Sequence, residues 1–366
     1  MSSAERQGEA ATGDLRAAIE RAESLVCEVI LSTSPAGGER HERVPSGPQA
    51  VRAAVEVSQQ GRRAAVVLSP AELFDALAAI HAAARARAPI VIHVPAAAAG
   101  GVGRDELGPA LELGAGVLSA WSAQDAIDLG FAARRAAEDS ETPWIVVSAG
   151  APSDPIVPDG ALLGRFLGVG RAAGQGRRAG DDPAADKRSE RSYTSRAPFA
   201  LGSALRELGE LTGRPLPAVE RFETADAEEV IVAVGEAFVA ARAVAAAMRH
   251  DKKKVGAVGV RSLRPFFASE AVKAMARARA IAVIEPLDVA LSPAGPLAES
   301  LKAAFADALT WAAGFPGVGK IPPVVSAVCA TLEGGVSEAQ VREVLAELSA
   351  GDRARRVMVL GSDFPG

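Results

Sequence analysis

Apolar runs rich in valine, isoleucine and alanine recur along this chain without the every-other-residue polarity of a half-exposed strand. They fall at 26–31, 64–68 (AAVVL), 90–94 (IVIHV), 116–119 (GVLS) and 144–148 (WIVVS). They return at 230–234 (VIVAV), 255–260 (VGAVGV), 281–284 (IAVI) and 357–360 (VMVL). Strands that read this way are buried on both faces, which requires helices on each side of a parallel sheet. Helical spacing fills the intervals at 48–60, 71–87, 122–138, 236–250, 269–278 and 337–349. The alternation predicts an α/β fold with two doubly wound parallel-sheet domains.

The two domains are suggested by a gap in the pattern. From Arg171 to Pro198 the chain has no hydrophobic period and is crowded with glycine, proline and charges of both signs. Such a stretch reads as a linker or exposed loop. The expected division is a first α/β domain over 1–170, a linker and connector over 171–224, and a second α/β domain with a tail over 225–366. A smaller loop is expected at 96–108.

Composition excludes several functions. The formal charge of −5 lacks the basic excess of a nucleic-acid binder. An iron–sulfur cluster needs about four thiolates, and the chain has two cysteines, Cys27 and Cys329. Both lie in apolar runs, as buried free thiols of a reducing compartment do. Four histidines without a Cys-x-x-Cys pair argue against a zinc site. No apolar run reaches the ~18–20 residues of a membrane span, and the polar, acidic start is unlike a signal peptide. A cytoplasmic protein is expected. Aromatics make up 4% of residues, so alanine-rich helices packed closely on valine and isoleucine strands should form the interior. Their flat faces make a homodimer plausible.

Local motifs point to no self-sufficient active site. Gly235 follows a strand and opens a helix, but one glycine is a tight turn more readily than a dinucleotide fingerprint. The run GFPGVGK at 314–320 lacks the second half of a phosphate loop and precedes IPPVV, not a helix. Ser69 and Ser148 end strands outside any G-x-S-x-G context. His93 sits within an apolar strand, as a core histidine or a base. Glu285 and Asp288 stand at a strand end, where they bind a polar ligand or cap the next segment. The stretch CEVILSTSPAGGE (27–39) is a strand ending in hydroxyls and glycines, the usual shape of a ligand loop in α/β proteins. Ser32, Thr33 and Ser34 are its candidate binding residues.

Several stretches, taken in order, resemble the pyruvate (2-oxoacid):ferredoxin oxidoreductase family, specifically domains I–II or the α subunit. From Lys253 to Phe305 the chain carries a strand, the turn Arg264-Pro265-Phe266, a helix, the strand Ile281–Glu285 ending in an acid, and the helix start Gly295-Pro296-Leu297. Residues 113–150 are similar to the family's first-domain stretch with a Ser-x-Gln-Asp-Ala helix. Residues 195–237 resemble the connector, and 322–348 the tail after the second domain.

The resemblance implies a pyrimidine-binding-like first domain and a transketolase C-terminal-like second domain. It implies oxidative decarboxylation of pyruvate or a related 2-oxoacid, with coenzyme A and ferredoxin. Thiamine diphosphate and magnesium would come only through a β-type partner subunit, and iron–sulfur clusters through a ferredoxin-bearing one. In the family the strand corresponding to 28–35 carries a tyrosine and a substrate-contacting threonine, where this chain has Glu28 and Leu31. The glutamate that activates thiamine falls at Ser46-Gly47, with Glu42 as the nearest acid and the weak catalytic candidate. The carboxylate-binding arginine falls on Ala97. These departures imply an α-like subunit with degenerate active-site motifs, or a non-catalytic structural or regulatory paralogue. An unrelated small-molecule-binding α/β protein is the third reading.

Overall fold

The computed structural model describes residues 15–34, 39–96, 104–148, 155–168, 195–286, 292, 294–329, 335–351 and 357–360. The chain divides into two compact units. One comprises Met1–Ala97 with Pro109–Pro217, the other Ala98–Gly108 with Ala218–Gly366. A short helix, α4 (Arg104–Ala110), lies where the sequence passes between them. Both units are α/β with parallel-dominant sheets.

In the first unit, β1 (Val29–Ser32), β2 (His41–Arg43), β3 (Ala64–Val67), β4 (Val91–Pro95), β5 (Gly116–Ala120) and β6 (Trp144–Ser148) form one sheet. Their order is β5-β6-β4-β3-β1-β2, with every pair parallel. The apolar runs are strands because every residue of β1, β3, β4, β5 and β6 is buried. A helix over residues 15–23 (α1) precedes β1. The helices α2 (Gly47–Gln59), α3 (Pro70–Arg85), α5 (Ala123–Ser140), α6 (Gly160–Leu167) and α7 (Arg196–Thr212) complete the unit. Helix α5 packs on β4, β5 and β6 and on α7, while α2 packs on β1, β3 and α3.

Local chemistry starts these helices. Ser69 caps α3 in a reciprocal capping box with Glu72, and Ser122 caps α5 by accepting from the Asp125 amide at 3.1 Å. In the stretch similar to the Ser-x-Gln-Asp-Ala helix, the polar residues are framework. Gln124 exchanges hydrogen bonds with the backbone of Ile156. Asp128 takes a two-pronged grip from Arg214, at 2.8 and 2.7 Å, tying α5 to the segment after α7. Helix α7 itself lies in the stretch expected as connector. The linker from 171 to 194 and the loop from 97 to 103 fall outside the described residues.

The second unit's sheet runs β13-β12-β11-β8-β9-β7. Its members are β7 (Val219–Phe222), β8 (Glu229–Val234), β9 (Val255–Val260), β11 (Ala280–Glu285), β12 (Val324–Cys329) and β13 (Val357–Leu360). All pairs are parallel except β7 with β9. A short strand, β10 (Ser262–Arg264), follows β9, and the Arg264–Pro265 peptide is cis. Helices α8 (Ala237–His250), α9 (Ala268–Met275), α10 (Pro296–Leu309) and α11 (Glu338–Ser349) cover this sheet. Gly235, at φ +60, makes the left-handed turn from β8 into α8.

Candidate functional site

An open α/β sheet offers ligands the crevice where its strand order reverses, outside the carboxyl ends of the strands. In the first unit, β2 lies on one side of β1 and β3 on the other, so that point is the end of β1 beside the end of β3. The sequence candidates Ser32, Thr33 and Ser34 stand there. Ser32 is fully buried, while Thr33 and Ser34 are partly exposed.

Each of the three hydroxyls has a partner within the unit. The Ser32 hydroxyl lies 2.6 Å from His41 Nε2 on β2, and His41 Nδ1 lies 3.6 Å from Glu20 Oε2 on α1. Thr33 donates to Glu72 Oε1. Ser34 accepts from Arg16 Nη1 at 2.7 Å, and the same guanidinium donates from Nη2 to the Val67 carbonyl of β3 at 2.9 Å. Arg16 Nε donates to Glu20 Oε1 at 3.2 Å. Arginine thus spans the two strand ends whose divergence opens the switch point.

Glu72 is the acid that sequence reasoning missed here. Ser69-Pro70-Ala71-Glu72 is a legible capping signature, and that signal places a carboxylate at the end of β3. The same side chain accepts the Ser69 amide at 2.7 Å and the Thr33 hydroxyl. Partial burial raises its pKa, but those bonds and the nearby Arg16 charge outweigh it, and the net shift is downward. Glu72 is therefore ionised with its lone pairs engaged. Glu42 lies on β2 in register with Leu31 and is exposed. Ser46 is the residue before α2, its hydroxyl donating to Gln49 Oε1 at 3.2 Å. Ala97 lies outside the described residues.

Deeper in the first unit is a second polar cluster. Glu23 Oε2 accepts from Arg134 Nη2 at 2.8 Å and from the Cys27 thiol at 3.0 Å, while Oε1 lies 2.7 Å from His93 Nε2. Arg134 also donates to the Ala64 carbonyl at 2.7 Å. All four side chains are buried. Burial would raise the Glu23 pKa, yet the Arg134 charge, then His93 and Cys27, hold it down at about 2. Burial pushes the Cys27 thiol well up. His93 is thus an interior partner of Glu23, and Cys27 is a free buried thiol.

In the second unit the reversal lies between β8 and β11, since β9 is on the far side of β8. Glu285 ends β11 there, fully buried. Its carboxylate accepts the amides of Leu297 at 2.8 Å and Ala298 at 3.1 Å, the first turn of α10. Of the two roles open from sequence, the structure gives Glu285 the cap. Burial raises its pKa to about 7, the two amides pulling the other way. Gly295 permits this approach, because a Cβ there would sit 2.1 Å from Glu285 Oε1. Asp288 is outside the described residues. Residues 314–320 form turns leading to β12, with no helix after them.

Among the described residues, no group of three or more His, Cys, Asp or Glu is placed to hold a metal ion. Among them too, no helix is long and apolar enough to cross a membrane.

Known proteins match this arrangement most clearly in its second unit. Residues 227–319 match the pyruvate:ferredoxin oxidoreductase core domain II model. Pyruvate synthase subunit PorA of Methanothermobacter thermautotrophicus is 35% identical over 104 residues, 28% of this chain and 27% of that protein. A 2-oxoglutarate:ferredoxin oxidoreductase from Magnetococcus marinus, solved with 2-oxoglutarate, coenzyme A and succinyl-CoA bound, is similar in fold at TM-score 0.58. Its sequence identity is 14%, over 91% of this chain and 64% of that one. A split-gene transketolase, solved as an inactive β4 tetramer, matches at TM-score 0.55 and 13% identity, over 95% of this chain and 99% of that one. The fold is thus that of the transketolase-like and oxidoreductase chains. Residues 227–319 are similar in sequence to the second core domain of the pyruvate:ferredoxin oxidoreductases, and the chain spans less than two thirds of the first two relatives' length.

Proposed function

We propose that this chain is an α-subunit-like component of a 2-oxoacid:ferredoxin oxidoreductase, working with a thiamine-binding partner and a ferredoxin-bearing one. The observation that carries the reading is the core domain II match over 227–319. The strand, cis-proline turn, helix and acid-ended strand that prompted the resemblance all fall within it. Oxidative decarboxylation of pyruvate or a related 2-oxoacid would be the reaction of the assembly.

The described residues of the first unit do not fit the aminopyrimidine ring of thiamine diphosphate. That ring requires an acid able to share a proton with its nitrogen. Among the described residues, the carboxylates that hydrogen bonds bring to the switch point are Glu20 and Glu72. Glu72 is ionised and engaged by Ser69 and Thr33, and Glu20 is shared between Arg16 and His41. Thiamine diphosphate and magnesium are therefore assigned to the partner. This mismatch favours a second reading, a paralogue that keeps the family's framework and assembles without contributing first-unit chemistry.

Co-expression with a thiamine-binding β-type partner separates the readings. Co-purification with coenzyme A- and 2-oxoacid-dependent reduction of a viologen dye is the expected outcome for the enzyme subunit. Co-purification without turnover selects the paralogue. No complex at all removes both and leaves an independent small-molecule-binding protein.

A further inference from the structure

We infer that Arg16 is an internal ligand of the first unit, seated at the switch point and closing it to a ligand ring. Its guanidinium meets acceptors from three elements: Glu20 Oε1 on its own helix, Ser34 Oγ past the end of β1 and the Val67 carbonyl at the end of β3. The latter two lie 18 and 51 residues away in sequence, so the seat exists only in the folded unit. A planar fork with fixed donors suits such a set, whereas an ammonium cannot reach it in the same geometry. Glu20 is steadied in turn by His41, which is held by the buried Ser32 hydroxyl. Beside the seat, Thr33 is committed to Glu72.

This is the arrangement of a bound ligand, with the ligand supplied by α1. A crevice at the carboxyl ends of parallel strands normally leaves its hydroxyls and carbonyls for a substrate or cofactor. Here one side chain takes a hydroxyl of one strand end and a carbonyl of the other. A ring could enter between them only if the guanidinium left. The inference deepens the proposed function, on which it rests for its choice of probe.

The test uses the full chain and the variants Arg16→Ala and Arg16→Lys. Arg16→Ala should melt lower than the wild type. Millimolar guanidinium ion should restore its melting temperature saturably, with sodium chloride at equal ionic strength as control. Wild type should show no such response, and Arg16→Lys should not substitute for the lost fork. In calorimetric titrations with thiamine diphosphate and magnesium, wild type should show no saturable binding. Arg16→Ala, in which Glu20 Oε1 loses its guanidinium partner and becomes available to the ring, should bind, and guanidinium should compete.

Absence of guanidinium rescue overturns the seat. Binding by wild type that weakens in Arg16→Ala overturns the closure, as does failure of Arg16→Ala to bind. Should Arg16→Ala not fold, Arg16→Gln carries the same measurements. Co-purification of the variant with the β-type partner, read in parallel, keeps the fate of the family reading separate from that of the seat.

Discussion

The two units meet the same physical problem with different materials. In the first, side chains answer side chains: Glu23 is held by Arg134, His93 and Cys27, and the switch point is held by Arg16, Glu20, His41 and Glu72. In the second, the backbone answers a single acid, Glu285, through the first turn of α10. The partners of Glu23 on β4 and α5 lie 70 and 111 residues away, while the amides facing Glu285 lie 12 and 13 away. A device built within one strand–helix step travels as a contiguous sequence pattern. One assembled from distant elements does not, and the core domain II match falls in the unit of the first kind.

Breaking the long-range network should have the largest effect. Glu23→Gln strands the buried Arg134 charge, and losing one partner of a buried pair costs about 3–5 kcal/mol. Denaturant unfolding followed by circular dichroism measures it; a loss below about 1 kcal/mol would mean that water already reaches the cluster.

The pH profile sharpens the contrast, because the two acids act with opposite sign. Glu23 titrates at about 2 when folded, below its ordinary 4.5, so its stabilisation is complete above pH 4.5 and disappears as pH falls toward 2. Glu285 titrates at about 7, above its ordinary 4.5. Its contribution is complete below pH 4.5 and is lost as pH rises through 7, an effect of about 3 kcal/mol at 1.36 kcal/mol per unit. Glu285→Gln should flatten stability between pH 4.5 and 7 and leave the acid limb intact. A profile unchanged by that substitution would remove the assigned role.

Gly295→Ala should cost about 1–3 kcal/mol, the range for overpacking a filled site, and should shift the second unit's unfolding ahead of the first's. The smallest effect is expected for Ser69→Ala, about 1 kcal/mol for a lost helix cap. The amide of residue 69 would still donate to Glu72, but loss of the hydroxyl that helps hold the carboxyl down should register as an upward move in a carboxylate titration followed by NMR.

Much of the sheet was legible in the sequence, since β3, β4, β5, β6, β8, β9, β11 and β13 are apolar runs with little alternation. The strands that escaped, β2, β7, β10 and β12, are of other kinds, β7 and β10 being short. His41-Glu42-Arg43 is an edge strand with polar, largely exposed residues. Val324–Cys329 is introduced by two prolines and was legible only as a tail. Helix α1 hides its role because Arg16, Glu20 and Glu23 look like a solvated face, yet Glu23 is buried. At the switch point, Ser32, Thr33 and Ser34 were legible from the strand-end hydroxyls. Arg16, His41 and Glu72 were not, because nothing in their local sequence says which strand ends they will meet.

The close fit of Gly295 against Glu285 has a consequence for descent. With no room for a methyl group between them, the two positions cannot drift independently. A cousin bearing any larger residue in place of the glycine should carry a shorter side chain in place of the glutamate, and that reciprocal swap would mark its lineage even where the rest of the text has diverged.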